Sequence, residues 1–113
     1  MENKQKLLSA VSLCRKAGKL VMGFDAVRES VMSGKAWLVL LAADVSDGTA
    51  KRMARTCEDI TECRRMSLTQ LELCGISYKK VGVYSVLDEH LANLCSQYLA
   101  DQKEENECPL NIK

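Results

Sequence analysis

Arg15-Lys-Ala-Gly-Lys-Leu-Val-Met-Gly-Phe-Asp-Ala-Val-Arg28, followed after Gly34 by Trp37-Leu-Val-Leu-Leu-Ala-Ala-Asp44, is the stretch that decides the fold. It reads as the end of a basic helix, a glycine, a short apolar strand, a second glycine that opens another helix, and then a wholly apolar strand. A glycine between strand and helix lets the backbone turn tightly and leaves the first helical N–H groups uncovered. Those groups sit at the positive end of the helix dipole, so Gly23 marks a place suited to an anion such as a phosphate.

Working outward, Leu7, Leu8, Val11 and Cys14 recur at helical spacing before Gly18, with Asn3 placed to cap the helix and Lys19 to Met22 as the first strand. The second helix turns Phe24, Val27 and Val31 inward and ends at Ser33-Gly34. Trp37 to Ala43 is apolar without alternation, which predicts a strand covered on both faces and helices on both sides of the sheet. Asp44 to Asp47 supplies caps for a third helix with Ala50, Met53, Cys57 and Ile60 as its buried stripe, and Cys63 to Met66 takes the place of a third strand. A fourth helix begins at Ser67 to Leu71 and stops near Gly75. Ser77 to Lys80 forms a polar turn, and Val81 to Val86 a strand. Asp88 caps a last helix carrying Leu91, Leu94, Cys95, Tyr98 and Leu99. Helices alternating with strands predict an α/β fold: a three-layer α/β/α sandwich with a central mixed sheet of about four strands.

The 113 residues predict one domain over residues 1–100, long enough to fold without staples, followed by an acidic tail over 101–113 read as a solvated end. The net charge of +1 leaves overall basicity uninformative, but Lys and Arg outnumber acids before residue 65. Six cysteines with no C-x-x-C and a single histidine argue against a metal site, and no cofactor motif is present. Several cysteines fall on apolar helix faces as small core residues, with Cys108 the one read as exposed. The absence of a signal peptide or membrane-length apolar run predicts a reducing cytoplasm.

Catalysis finds little support. His90, in the first turn of the last helix, reads as a surface residue, and Glu58-Asp59 and Asp88-Glu89 read as solvated positions and caps. A cysteine enzyme would need a thiol in a cationic pocket, for which only Cys14 beside Arg15 qualifies. The remaining candidate is a nucleic-acid surface built from Arg15, Lys16, Lys19, the Gly23 helix start and Arg28, with ordinary solvated charge as the plain alternative. Arg64-Arg65 and Lys79-Lys80 read either way, the latter also as charges that blunt a sheet edge.

The run from Arg15 to Ser46 resembles the bacterial YlxQ branch of the ribosomal protein seven-Ae superfamily, whose best known members bind kink-turn RNA. More loosely, the resemblance extends through Ser67 to Leu71 and Lys79 to Asp88, covering about residues 5 to 100. It implies a small non-enzymatic protein that binds structured RNA, ribosomal or other, in connection with ribosomal subunits or translation. In such proteins a G-x-N-E-x-x-K loop between the first strand and second helix reads the RNA. Here the glycine is Gly23, while Asp25, Ala26 and Glu29 replace the asparagine, glutamate and lysine. Asp25 accepts only, and Glu29 turns an attraction for phosphate into a repulsion. The resemblance implies an RNA-binding set of Lys19, Gly23, Phe24, Asp25 and Arg28, joined by Ser67 and Leu68 from the loop before the fourth helix. The competing reading is a protein-interaction module that kept the fold and lost RNA binding.

Overall fold

The structure is a computed structural model describing residues 4–107, so Asn3 and Cys108 lie outside the described residues. Helices and strands follow in the order α1 (Lys4–Lys16), β1 (Leu20–Met22), α2 (Phe24–Met32), β2 (Leu38–Leu41), α3 (Asp47–Cys57), β3 (Glu62–Arg65), α4 (Gln70–Ser77), β4 (Val83–Val86) and α5 (Glu89–Glu107). The strands form one sheet in the order β1-β4-β2-β3, in which β4 runs antiparallel to both neighbours and β2 pairs with β3 in parallel. The three-layer α/β/α sandwich around a mixed four-stranded sheet expected from the sequence is the fold observed.

Alternation along the strands separates two cores. Leu38, Leu40, Tyr84 and Val86 face α1, α4 and α5, where they meet Leu7, Val11, Leu73, Cys95 and Leu99. Val39, Leu41 and Val83 face α2 and α3, where they meet Val27, Val31, Met53 and Cys57. Because both faces are covered, β2 and β4 are buried at every position. Ser85 is the polar exception on β4; its hydroxyl lies 2.9 Å from that of Ser30, which itself donates to the Val27 carbonyl at 2.6 Å. Under the other face, the Tyr84 hydroxyl donates to the Val81 carbonyl at 2.9 Å.

Several boundaries differ from the sequence reading. Trp37 precedes β2 and is 52% exposed, and α3 ends at Cys57 in a turn with Asp59 at φ 63°, which leaves Ile60 50% exposed rather than in the buried stripe. Helix α4 passes through Gly75 to Ser77 and is closed by Tyr78 at φ 65°. There the Arg15 guanidinium donates to the Ile76 carbonyl and lies 4.7 Å from the Tyr78 ring centroid, so a cation covers the helix C-terminus where a glycine was expected. β4 begins at Val83 and sits inside the sheet, so Lys79-Lys80 blunts no edge. Asp88 caps α5 as expected, its carboxylate accepting from the Leu91 N–H at 3.0 Å, and the helix continues through the acidic run to Glu107.

Candidate nucleic-acid interface

Strand direction gathers the site. β2 and β3 run in parallel, and β1 shares their direction because both β1 and β2 oppose β4. The carboxyl ends of β1, β2 and β3 therefore share one rim with the amino end of β4, and α2, α3 and α4 all start there. In open α/β sheets this rim is where ligands are usually met. Backbone bonds lock it together: the Gly23 N–H donates to Val83 O at 2.9 Å, Ala42 N–H to Gly82 O at 2.9 Å, and Ala43 N–H to Leu68 O at 2.7 Å.

The helix starts on this rim are not equivalent. Ser46 caps α3, its hydroxyl accepting from the Thr49 N–H at 3.2 Å. Thr69 and Glu72 form a capping box on α4, and the Asp44 carboxylate accepts from the Gln70 N–H at 3.0 Å. Helix α2 is capped by Gly23 with φ 102° and ψ 144°, and no side chain closes it. The N–H groups of Phe24, Asp25 and Ala26 thus remain open at the positive end of the dipole.

This open end borders a shallow depression of about 640 Å³ lined by Gly23, Phe24, Asp44, Gln70, Lys79, Lys80 and Gly82 among others. Gly82 lets the α4–β4 loop lie close to its neighbour, because a Cβ there would stand 3.1 Å from the Val45 side chain. Lys79 and Lys80 are exposed, and neither forms an ion pair among the described residues. Asp44 is engaged with α4: the Gln70 N–H bond, aided by Lys80, holds its carboxyl below the usual carboxylate range. The rim thus presents open amide donors, exposed ammonium groups and a half-buried ring at Phe24, which suits phosphates and bases. Arg52 covers one face of the Phe24 ring, its guanidinium carbon 4.6 Å from the ring centroid.

The sequence-predicted residues distribute unevenly. Gly23 and Phe24 line the depression, and Asp25 is exposed in the first turn of α2 beside it. Arg28, one turn further on, faces the neighbouring groove between α2 and α3. Lys19 lies at the other end of β1, about 13 Å from Gly23 at the rise of an extended strand. Its carbonyl accepts from Leu87 N–H there, so it is not part of this rim. Ser67 is half-buried on the rim; the Leu68 side chain is 2% exposed within the core, where the packing of α4 demands it, and has no surface to offer. Arg15 is committed to the end of α4. Lys79 and Lys80 line the depression, and Lys19 does not. The basic pair was visible in the sequence, but its position depends on the reversed direction of β4.

Nothing comparable gathers around the cysteines or His90. Cys14, Cys57 and Cys95 are buried, and a neighbouring thiol (Cys57 for Cys63, Cys14 for Cys95), with burial second, pushes Cys63 and Cys95 up. Cys14 is wholly enclosed and meets the Cys95 sulfur at 3.9 Å, out of reach of a substrate. Among the described residues no three His, Cys, Asp or Glu side chains are grouped to hold a metal, and no helix is long and apolar enough to cross a membrane.

The chain is thus a three-layer α/β/α sandwich with an uncapped helix start beside two exposed lysines at the carboxyl rim of its sheet. Residues 5–102 match the Ribosomal protein L7Ae/L30e/S12e/Gadd45 family, and the chain belongs to it. Among solved structures, a protein of unknown function from Bacillus halodurans shares the fold at TM-score 0.77 and 23% identity, over 88% of this chain and 99% of that one. The Giardia lamblia 15.5kD RNA binding protein shares it at TM-score 0.68 and 21% identity, over 89% of this chain and 88% of that one. No curated protein sequence matches the chain.

Proposed function

We propose that this chain is a non-enzymatic RNA-binding protein of the YlxQ-like branch that takes structured RNA at the carboxyl rim of its sheet, in the cytoplasm and in connection with ribosomal subunits or translation. The observation that carries this reading is the open α2 start at Gly23 facing the free ammonium groups of Lys79 and Lys80, in a chain of this family. The RNA-binding relative from Giardia lamblia with the same fold supports it. Gly23 and the open amides bind phosphate, Phe24 offers a stacking face, Lys79 and Lys80 neutralise the backbone, and Arg28 and Ser67 flank the contact. Exposed Asp25 and Glu29 lie one turn apart on α2, so they repel phosphates that cross that face and steer the strand toward the Phe24 and Arg28 side. They select against the asparagine-and-lysine style of kink-turn contact while leaving the open amides available. The same acidic pair is what favours the second reading, a protein-interaction module.

Binding titrations of the wild type against a kink-turn RNA, an unstructured RNA of equal length and intact ribosomal subunits, at two salt concentrations, separate the readings. RNA binding weakens steeply with salt and is lost in Lys79→Glu/Lys80→Glu but kept in Lys19→Glu. Each phosphate contact removed lowers the slope of log affinity against log salt by about 0.7–0.9. Absence of salt-sensitive binding to any RNA or subunit contradicts the RNA reading and favours a protein partner.

A further inference from the structure

Beyond Phe24 and Arg28 at its mouth, the groove between α2 and α3 has no role in the contact described so far, although it opens directly from it. Phe24, Arg28 and Met32 recur every four residues along α2 and so form one stripe facing Arg52 and Arg55 of α3. The groove measures about 610 Å³. Its arginines face a single lining acid, Glu58, and none of the three makes an ion pair among the described residues. Phe24 lines both this groove and the depression at Gly23, so the two are continuous at its ring. Arg28 follows about 6 Å further along the helix, by the rise per residue. Arg52 is already held over Phe24, which leaves Arg28 and Arg55 as guanidinium forks with unspent donors. Met32, 64% exposed, and Ile60, 50% exposed, supply apolar surface at the far end.

We propose that the α2–α3 groove binds the phosphodiester backbone of a single-stranded RNA segment that leaves the Gly23 rim past Phe24. Arg28 and Arg55 hold phosphates, and Met32 and Ile60 pack against unstacked bases. The charge of the groove and its continuity with the rim select this occupant over an acidic peptide, for which the fixed spacing of the arginines along two helices serves no purpose. The proposal rests on the RNA reading of the rim and extends it from a structured element to the flanking strand.

The test titrates wild type and Arg55→Gln/Ile60→Ser, which changes the groove alone, with a kink-turn RNA by itself and with a ten-nucleotide single-stranded uridine extension at each end in turn. One extension is expected to tighten wild-type binding severalfold. The double variant should lose that gain, and about 0.7 of salt slope for the arginine removed, while keeping its affinity for the unextended RNA. Equal wild-type affinity for all the RNAs, or an equal loss by the variant on each, overturns the proposal. A failure of the rim reading shows itself separately, as no salt-sensitive binding of the unextended kink-turn RNA, the unstructured RNA or ribosomal subunits. The groove is then judged by amide chemical shifts on adding a twelve-nucleotide oligouridylate: shifts around Arg28, Arg55 and Thr56 that vanish in the double variant uphold it. No shift there, or the same shifts with polyglutamate, overturns it.

Discussion

Replacing Gly23 by alanine isolates the backbone geometry on which the interface depends. A Cβ at this position meets no heavy atom within 4 Å, so crowding contributes nothing. The cost is conformational: φ 102° with ψ 144° lies in territory that is nearly exclusive to glycine, and holding alanine there costs about 1–3 kcal/mol. The lower entropy of the unfolded alanine chain offsets about 0.4–1 kcal/mol of that. A net loss of roughly 1–2 kcal/mol lowers the melting temperature by roughly 4–8 °C for a domain of this size. Relief of the strain by rotation at residue 23 would move the N–H that now bonds Val83 O and tilt the open amides of α2. RNA affinity should therefore drop about tenfold, the worth of one distorted bond to a charged acceptor. Gly48→Ala is the matched control: it lies inside α3 without positive φ and has open space around it, so it should stabilise by about 0.5–1 kcal/mol and leave RNA binding unchanged. Thermal melts and RNA titrations of the two variants decide the matter. Equal melting temperatures for Gly23→Ala and Gly48→Ala would refute the strained-glycine account of the rim.

Other consequences follow from single contacts. Tyr84→Phe removes the buried hydroxyl that donates to Val81 O and should cost about 1–2 kcal/mol in urea unfolding; an unchanged midpoint would mean that the bond contributes nothing. Hydrogen bonds from Gln70 N–H to Asp44 and from Thr69 N–H to Glu72 depress both carboxyl pKa values in the folded state below their ordinary 3.8 and 4.5. Their stabilisation is complete above those ordinary values and is lost as pH falls through the depressed folded ones. Unfolding measured from pH 7 down to pH 2 should therefore show an acid loss that is shallower in Asp44→Ala/Glu72→Gln. Among the described cysteines, native iodoacetamide alkylation followed by mass spectrometry should mark Cys74 first. Cys63 should follow slowly because its thiol is pushed up, with Cys14, Cys57 and Cys95 protected; early modification of Cys14 or Cys95 would contradict the packing of α1 on α5.

Much of the fold was legible because each element carries its own local signal. The unbroken apolar run at Leu38 to Leu41 demanded cover on both faces, and Gly23 and Asp88 announced their helices. Other boundaries were hidden because tertiary contacts set them. Helix α4 outlasts Gly75 because Arg15, more than fifty residues earlier, reaches the Ile76 carbonyl, and Ile60 is exposed because the chain turns at Asp59. The geometry of the candidate site was half legible. The strand–glycine–helix pattern put Gly23 at the start of α2 and the resemblance added Phe24, whereas the position of Lys79 and Lys80 beside them follows from strand order and direction, for which a single sequence carries no local signal. Leu68 shows the converse, a residue on the right loop whose side chain the core claims.

The most direct test is an amide chemical-shift map of the labelled protein on adding structured RNA at low salt. The account predicts the largest shifts at Phe24, Asp25, Ala26 and Lys79 to Gly82, reversed by added salt. Shifts centred instead on Lys19 and Trp37 at the opposite end of the sheet, or no shifts at all, would contradict it.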